Sequence, residues 1–107
     1  MLLVCRFVPD DVDGFLARAR RAVALLAAQP GCEGVDLGRA VEEPDRWVLV
    51  ARFATVTAYR RALQPFDVRE HVVPLLSEAQ PEPSTFETLV AAVDGQVTTH
   101  PSLRTDE

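Results

Sequence analysis

Residues 30–53, PGCEGVDLGRAVEEPDRWVLVARF, leave this chain few folds to choose from. Pro30 and Gly31 cannot continue a helix, and Gly34 lets the backbone turn into residues 35–41, where large apolar groups recur at every second position. That alternation predicts a strand with one heavy face. Glu42, Glu43, Pro44 and Asp45 have turn chemistry, since Pro44 presets φ and Asp45 can bond its own backbone. Trp47–Phe53 then predicts a second strand, apolar on both faces. An antiparallel hairpin can leave one face wet, so a strand apolar on both sides must be covered twice. Helices are one cover, and a second subunit can be the other.

At 107 residues the chain is one domain, with room for a single sheet and a layer of helices. No apolar run approaches the roughly 20 residues of a membrane span, and the first residues lack the basic start and small-residue cleavage site of a signal peptide. A cytoplasmic protein is expected. The net charge of −5 repels a phosphate backbone. Arg18, Arg20, Arg21, Arg60 and Arg61 fall on the polar sides of predicted helices among acids, so neither nucleic acid nor membrane is an expected partner. All the basic residues are Arg, and Lys, Asn and Ile are absent, a bias that fits a GC-rich bacterial genome. Without Lys no Schiff base can form within the chain. Cys5 and Cys32 stand alone, and neither His71 nor His100 has metal-ligand spacing around it. No cofactor or metal is expected.

Residues 2–8 read as a strand that Pro9 ends, with Asp10 and Asp11 supplying a helix cap. Val12, Phe15, Leu16, Ala19, Ala22, Val23 and Leu26 then form a stripe that only a helix places on one side. After the hairpin, Thr55 caps a short helix through Leu63 that carries Val56 and Tyr59, and Pro65 stops it. Asp67 is read as the cap of another helix with Val68, His71, Val72, Leu75 and Leu76 on one side, bent or broken by Pro74. Residues 79–84 form a proline-rich linker, residues 85–93 a fourth strand ended by Asp94 and Gly95, and residues 94–107 a polar tail outside the domain of residues 1–93.

The order strand, helix, hairpin, helix, strand, with PGCEGVDLGR, EPDRWVLVARF, TVTAYRRAL and REHVVPLL in sequence, resembles the antibiotic biosynthesis monooxygenase family over about residues 2–93. The resemblance implies a ferredoxin-like β-α-β-β-α-β fold of the α+β class, an antiparallel four-stranded sheet with helices on one face. It also implies a homodimer that closes into a dimeric α+β barrel, with a pocket between sheet and helices. The family includes cofactor-independent oxygenases of phenolic polyketides, quinol monooxygenases and haem-degrading enzymes. The haem-degrading branch looks built on an Asn, a helix Trp and a helix His. This chain has no Asn, and its one Trp lies in a strand, so haem breakdown is not expected. Phe53 stands where many relatives have Trp, which removes an indole donor there.

Within this frame His71 is the candidate base, because it lies on the apolar face of its helix and imidazole titrates near neutrality. Its structural alternative is a core or interface histidine bonded to a carbonyl. Tyr59, on the inward face of the preceding helix, can donate a hydrogen bond to a quinone oxygen or simply pack. Trp47, Phe53, Phe66 and Leu75 are the expected walls of the pocket. Arg52, like Arg6 and Arg39, interrupts an apolar strand, where a charge needs a partner or an anionic ligand. A phenol or quinol deprotonated in a dry pocket can pass an electron to oxygen unaided, which makes a small aromatic molecule the expected ligand. The alternative is a binding or assembly protein on the same scaffold.

Overall fold

The computed structural model describes residues 1–104. Strand β1 (Leu2–Phe7) leads into helix α1 (Val12–Ala27), whose cap is Asp11, its carboxylate accepting the Gly14 amide at 3.2 Å. Of the predicted stripe, Phe15, Ala19, Ala22 and Leu26 are buried and Leu16 and Val23 pack partly against them. Val12, in the first turn, stays exposed.

The hairpin consists of β2 (Cys32–Arg39) and β3 (Trp47–Phe53), paired antiparallel with Leu37 opposite Leu49 and Val35 opposite Ala51. A register shift between Cys32 and Gly34 lets β2 begin earlier than alternation alone predicts. It also ends sooner. The Ala40 amide bonds the Arg46 carbonyl at 2.8 Å, closing the loop, and Val41 projects into solvent. Helix α2 (Val56–Ala62) carries the predicted Thr55 cap, which accepts the Ala58 amide at 3.0 Å.

Two predicted elements come out differently. Asp67 is not a cap: helix α3 (Phe66–His71) starts after Pro65, and Asp67 sits in its first turn, where a carboxylate suits the helix dipole. Pro74 does interrupt the following run. The helix stops at His71 and resumes as α4 (Val73–Leu76), because the proline ring crowds the carbonyl four residues back and has no N–H to give.

The predicted fourth strand over residues 85–93 is two strands. Only β4 (Thr85–Phe86) joins the sheet, opposite Leu3 and Leu2. Further along β1 the edge belongs to the linker, whose Gln80 amide bonds the Arg6 carbonyl and whose Ser84 carbonyl accepts the Val4 amide, each at 2.7 Å. Pro81 and Pro83 have no N–H to extend that ladder. The chain then leaves the sheet as a separate hairpin of β5 (Val90–Val93) and β6 (Gln96–Thr99). Asp94 and Gly95, with φ of 52° and 79°, make its turn. Residues 96–99, expected in the polar tail, are thus a strand, and residues 105–107 of that tail lie outside the described residues.

The four-stranded antiparallel sheet runs β2-β3-β1-β4 with the helices on one face, the ferredoxin-like α+β arrangement expected from the sequence. Leu3, Cys5, Phe7, Trp47, Leu49, Ala51 and Phe53 bury their side chains against Phe15, Leu26, Val68, Val72 and Leu75 of the helices. The opposite face carries, row by row, Arg6, Val48 and Gly38; then Val4, Val50 and Asp36; then Leu2, Arg52 and Gly34. No helix among the described residues is long and apolar enough to cross a membrane.

Candidate functional site

The seven residues expected to share one pocket are distributed over separate places. His71 ends α3 and lies half-buried beside α1, with its Nδ1 at 3.4 Å from Nη1 of Arg21. A guanidinium only donates, so in this contact Nδ1 accepts and its lone pair is occupied. Together with Leu75, Arg18, Arg21 and Glu70, His71 lines a recess of about 190 Å³ that no aromatic ring enters. Phe66 is 68% exposed and lines none of the recesses described here. Tyr59 packs its ring edge-on to Phe53, centroids 5.5 Å apart. Burial pushes the Tyr59 hydroxyl above its ordinary pKa, with a smaller push from the nearby Cys5. Burial likewise raises the Cys5 thiol, so it is no thiolate nucleophile.

The two larger recesses lie at opposite ends of the sheet. Trp47 belongs to the first, a cleft of about 490 Å³ at the row of Arg6, Val48 and Gly38. Phe53 and Arg52 belong to the second, about 460 Å³, which the β5–β6 hairpin and the segment after it help to enclose. Both volumes fall in the range of small-molecule sites.

The second recess gathers polar groups of useful kinds. Arg52 is exposed, meets no carboxylate among the described residues, and extends over the backbone of Gly34, where an added Cβ would lie 3.6 Å from Nη2. His100 enters from the segment after β6, positioned by its backbone N–H, which donates to the Leu89 carbonyl at 2.8 Å. Glu87 anchors the same segment by accepting the Leu103 amide at 2.7 Å and the Ser102 hydroxyl at 2.8 Å. The first of these bonds is the main reason its carboxyl sits below the usual pKa. Sequence reasoning passed over His100 for want of ligand spacing. The signal that could have placed it is the Asp94-Gly95 dipeptide, a hairpin turn that folds residues 96–100 back toward the sheet. No three His, Cys, Asp or Glu side chains among the described residues are grouped to hold a metal ion.

This architecture has known counterparts. Residues 3–72 match the model of the family described as antibiotic biosynthesis monooxygenase. The chain belongs to that family. No curated protein matches it. Among solved structures, a variant of SnoaB, a cofactor-independent oxygenase from Streptomyces nogalater, superposes with a TM-score of 0.64 at 22% identity, covering 98% of this chain and 94% of that one. A structure named as an antibiotic biosynthesis monooxygenase gives 0.60 at 21% identity, covering 97% and 100%. A conserved protein from Methanosarcina mazei Go1 gives 0.64 at 16%, covering 78% and 84%. At these identities the likeness is one of fold. The family match ends at residue 72, so it includes His71 but neither the β5–β6 hairpin nor His100.

Proposed function

We propose that this member of the antibiotic biosynthesis monooxygenase family is a cytoplasmic, cofactor-independent monooxygenase of a small electron-rich phenol or quinol, acting as a homodimer. The observation that carries the reading is the recess under the β5–β6 hairpin, whose lining includes His100, Arg52 without a carboxylate partner, and the apolar Val56, Ala91 and Val93. His100 takes the phenolic proton and Arg52 holds the phenolate oxygen. Tyr59 packs its ring against Phe53. The deprotonated ring then passes an electron to oxygen. One oxygen atom enters the product and the other leaves as water, with all the electrons supplied by the substrate. The half-exposed row of Val4 and Val50 supplies the subunit contact.

The experiment is oxygen consumption with a hydroquinone and an anthrone-type phenol, using protein freed of metal and flavin. His100→Ala lowers the rate by about a hundredfold, the usual share of a positioned general base, whereas Tyr59→Phe costs less. His71→Ala leaves it near wild type. A large loss with His71→Ala and none with His100→Ala would move the base to the helix groove. A second reading is a small-ligand-binding or assembly protein without chemistry on the same scaffold. Saturable binding of the same phenols without oxygen uptake would establish it.

A further inference from the structure

The cleft at the opposite end of the sheet has a different chemistry. Its lining includes three arginines, Arg6, Arg39 and Arg46, against one carboxylate, Glu82, in a chain whose net charge is −5. Each guanidinium has donors on three nitrogens, and little of this capacity is used. Arg6 gives Nη1 to Glu82 at 3.3 Å, and Arg46 gives Nε to Glu43 at 2.9 Å, a contact within the hairpin loop. Arg39 meets no carboxylate among the described residues. It is held instead by the ring of Trp47, with Cζ 5.4 Å from the ring centroid.

Trp47 is 9% exposed, and its buried indole N–H has no acceptor among the described residues. An orphaned buried donor costs free energy of the same order as a lost hydrogen bond. The indole N–H is sealed from the cleft, and Trp47 serves there as the platform that holds Arg39. Val8, Val48 and Pro81 give the cleft apolar surface as well.

We infer that this cleft binds a small aromatic carboxylate. The carboxylate lies between Arg39 and Arg46, where a planar guanidinium can engage it bidentately. The aromatic ring lies against Pro81 at the rim of the cleft. The site is separate from the recess under the hairpin, so neither proposal depends on the other.

Trp47 is the one tryptophan of the chain, so a ¹⁵N-labelled sample has one indole cross-peak and the readout is local. Benzoate, which has no phenolic oxygen to recruit the other recess, is titrated against methyl benzoate, with sodium chloride at equal ionic strength as the salt control. The expected result is a saturable shift of the indole peak with benzoate, at least tenfold weaker with the neutral ester, the equivalent of about 1.4 kcal/mol. Arg39→Gln weakens benzoate by a similar factor while the remaining amide pattern is kept. Arg46→Gln serves as the second variant, in case the loss of Arg39 disturbs the Trp47 ring. An unshifted indole peak, equal binding of ester and acid, or undiminished binding by both variants would overturn the site.

Discussion

The two faces of one sheet divide the work of this molecule. On the helix side, Leu3, Cys5, Phe7, Leu49, Ala51 and Phe53 are at most 2% exposed and the side chains are sealed under α1, α3 and α4. On the other side, Leu2, Val4, Val48 and Val50 remain half-buried, and Arg6 and Arg52 stand exposed in the outer rows. The strands alternate between the two environments residue by residue, as the pleat requires. The sealed face fixes the fold. The open face has an apolar middle, and a recess lies at each end of the sheet.

The largest expected effect follows from putting a charge on the sealed side. Leu49→Asp, at 0% exposure, should give no soluble folded protein, since an unpaired buried carboxylate offsets most of a stability of about 5–15 kcal/mol. Leu49→Ala should fold but lose about 2–5 kcal/mol in urea titration. A soluble, cooperatively folding Leu49→Asp would mean that the sealed face is wrongly identified.

The same substitution one residue along tests the other face. Val50 lies between Val4 and Asp36 across the strands, so Val50→Asp places like charges side by side in the middle of the open face. It should keep the circular dichroism of the folded chain. Light scattering coupled to size exclusion should give about twice the mass of one chain for the wild type and a single chain for the variant, because a monomer exposes an apolar patch larger than the few hundred Å² usual for soluble proteins. A monomeric wild type would remove the subunit contact from the comparison.

A smaller effect comes from the one tyrosine, on the sealed side. Burial raises the Tyr59 pKa in the folded state. A group raised in this way contributes stability that is complete below its unfolded value of about 10 and lost as the pH climbs through the folded value. The phenolate absorbance should therefore appear only above the pH at which free tyrosine ionises, together with alkaline unfolding. Tyr59→Phe should flatten that loss. Ionisation at the free value would place the hydroxyl in water.

How far these two faces were legible in the sequence depends on the range of the signals. Asp11, Thr55 and the α1 stripe are local, set by one cap and a helical period, and they match the structure. The hairpin of residues 30–53 is equally local, and its doubly apolar second strand already implied a cover on each side. The site is different. Whether His71 meets an aromatic wall or Arg21 depends on how α3 rolls against α1, and that is set by long-range packing that no spacing encodes. Phe66 looked like a wall because it is aromatic, yet it starts a helix after Pro65 and points outward. The Asp94-Gly95 turn was present in the sequence. Its meaning was hidden because the strand after it, Gln96–Thr99, is mostly polar and fully exposed and so resembles a tail.

The smallest effect distinguishes charge from packing on the helix side. Arg18 on α1 grips Glu78 just after α4, with Nη2 3.1 Å from Oε1, and this bond is the main cause of a Glu78 carboxyl below its usual pKa. Both side chains are about half exposed, 51% and 48%, so water screens the pair. A lowered carboxyl contributes stability that is present above its unfolded value of about 4.3 and disappears as the pH falls through the lower folded value. A double-mutant cycle of Arg18→Gln and Glu78→Gln at neutral pH should give a coupling of about half a kcal/mol, shrinking in added salt and vanishing at low pH. Such a result assigns the hold of the helices on the sheet to Phe15, Leu26 and Leu75 rather than to surface charge. A coupling of several kcal/mol, insensitive to salt, would reverse that assignment and make the ion pair a structural tie between α1 and α4.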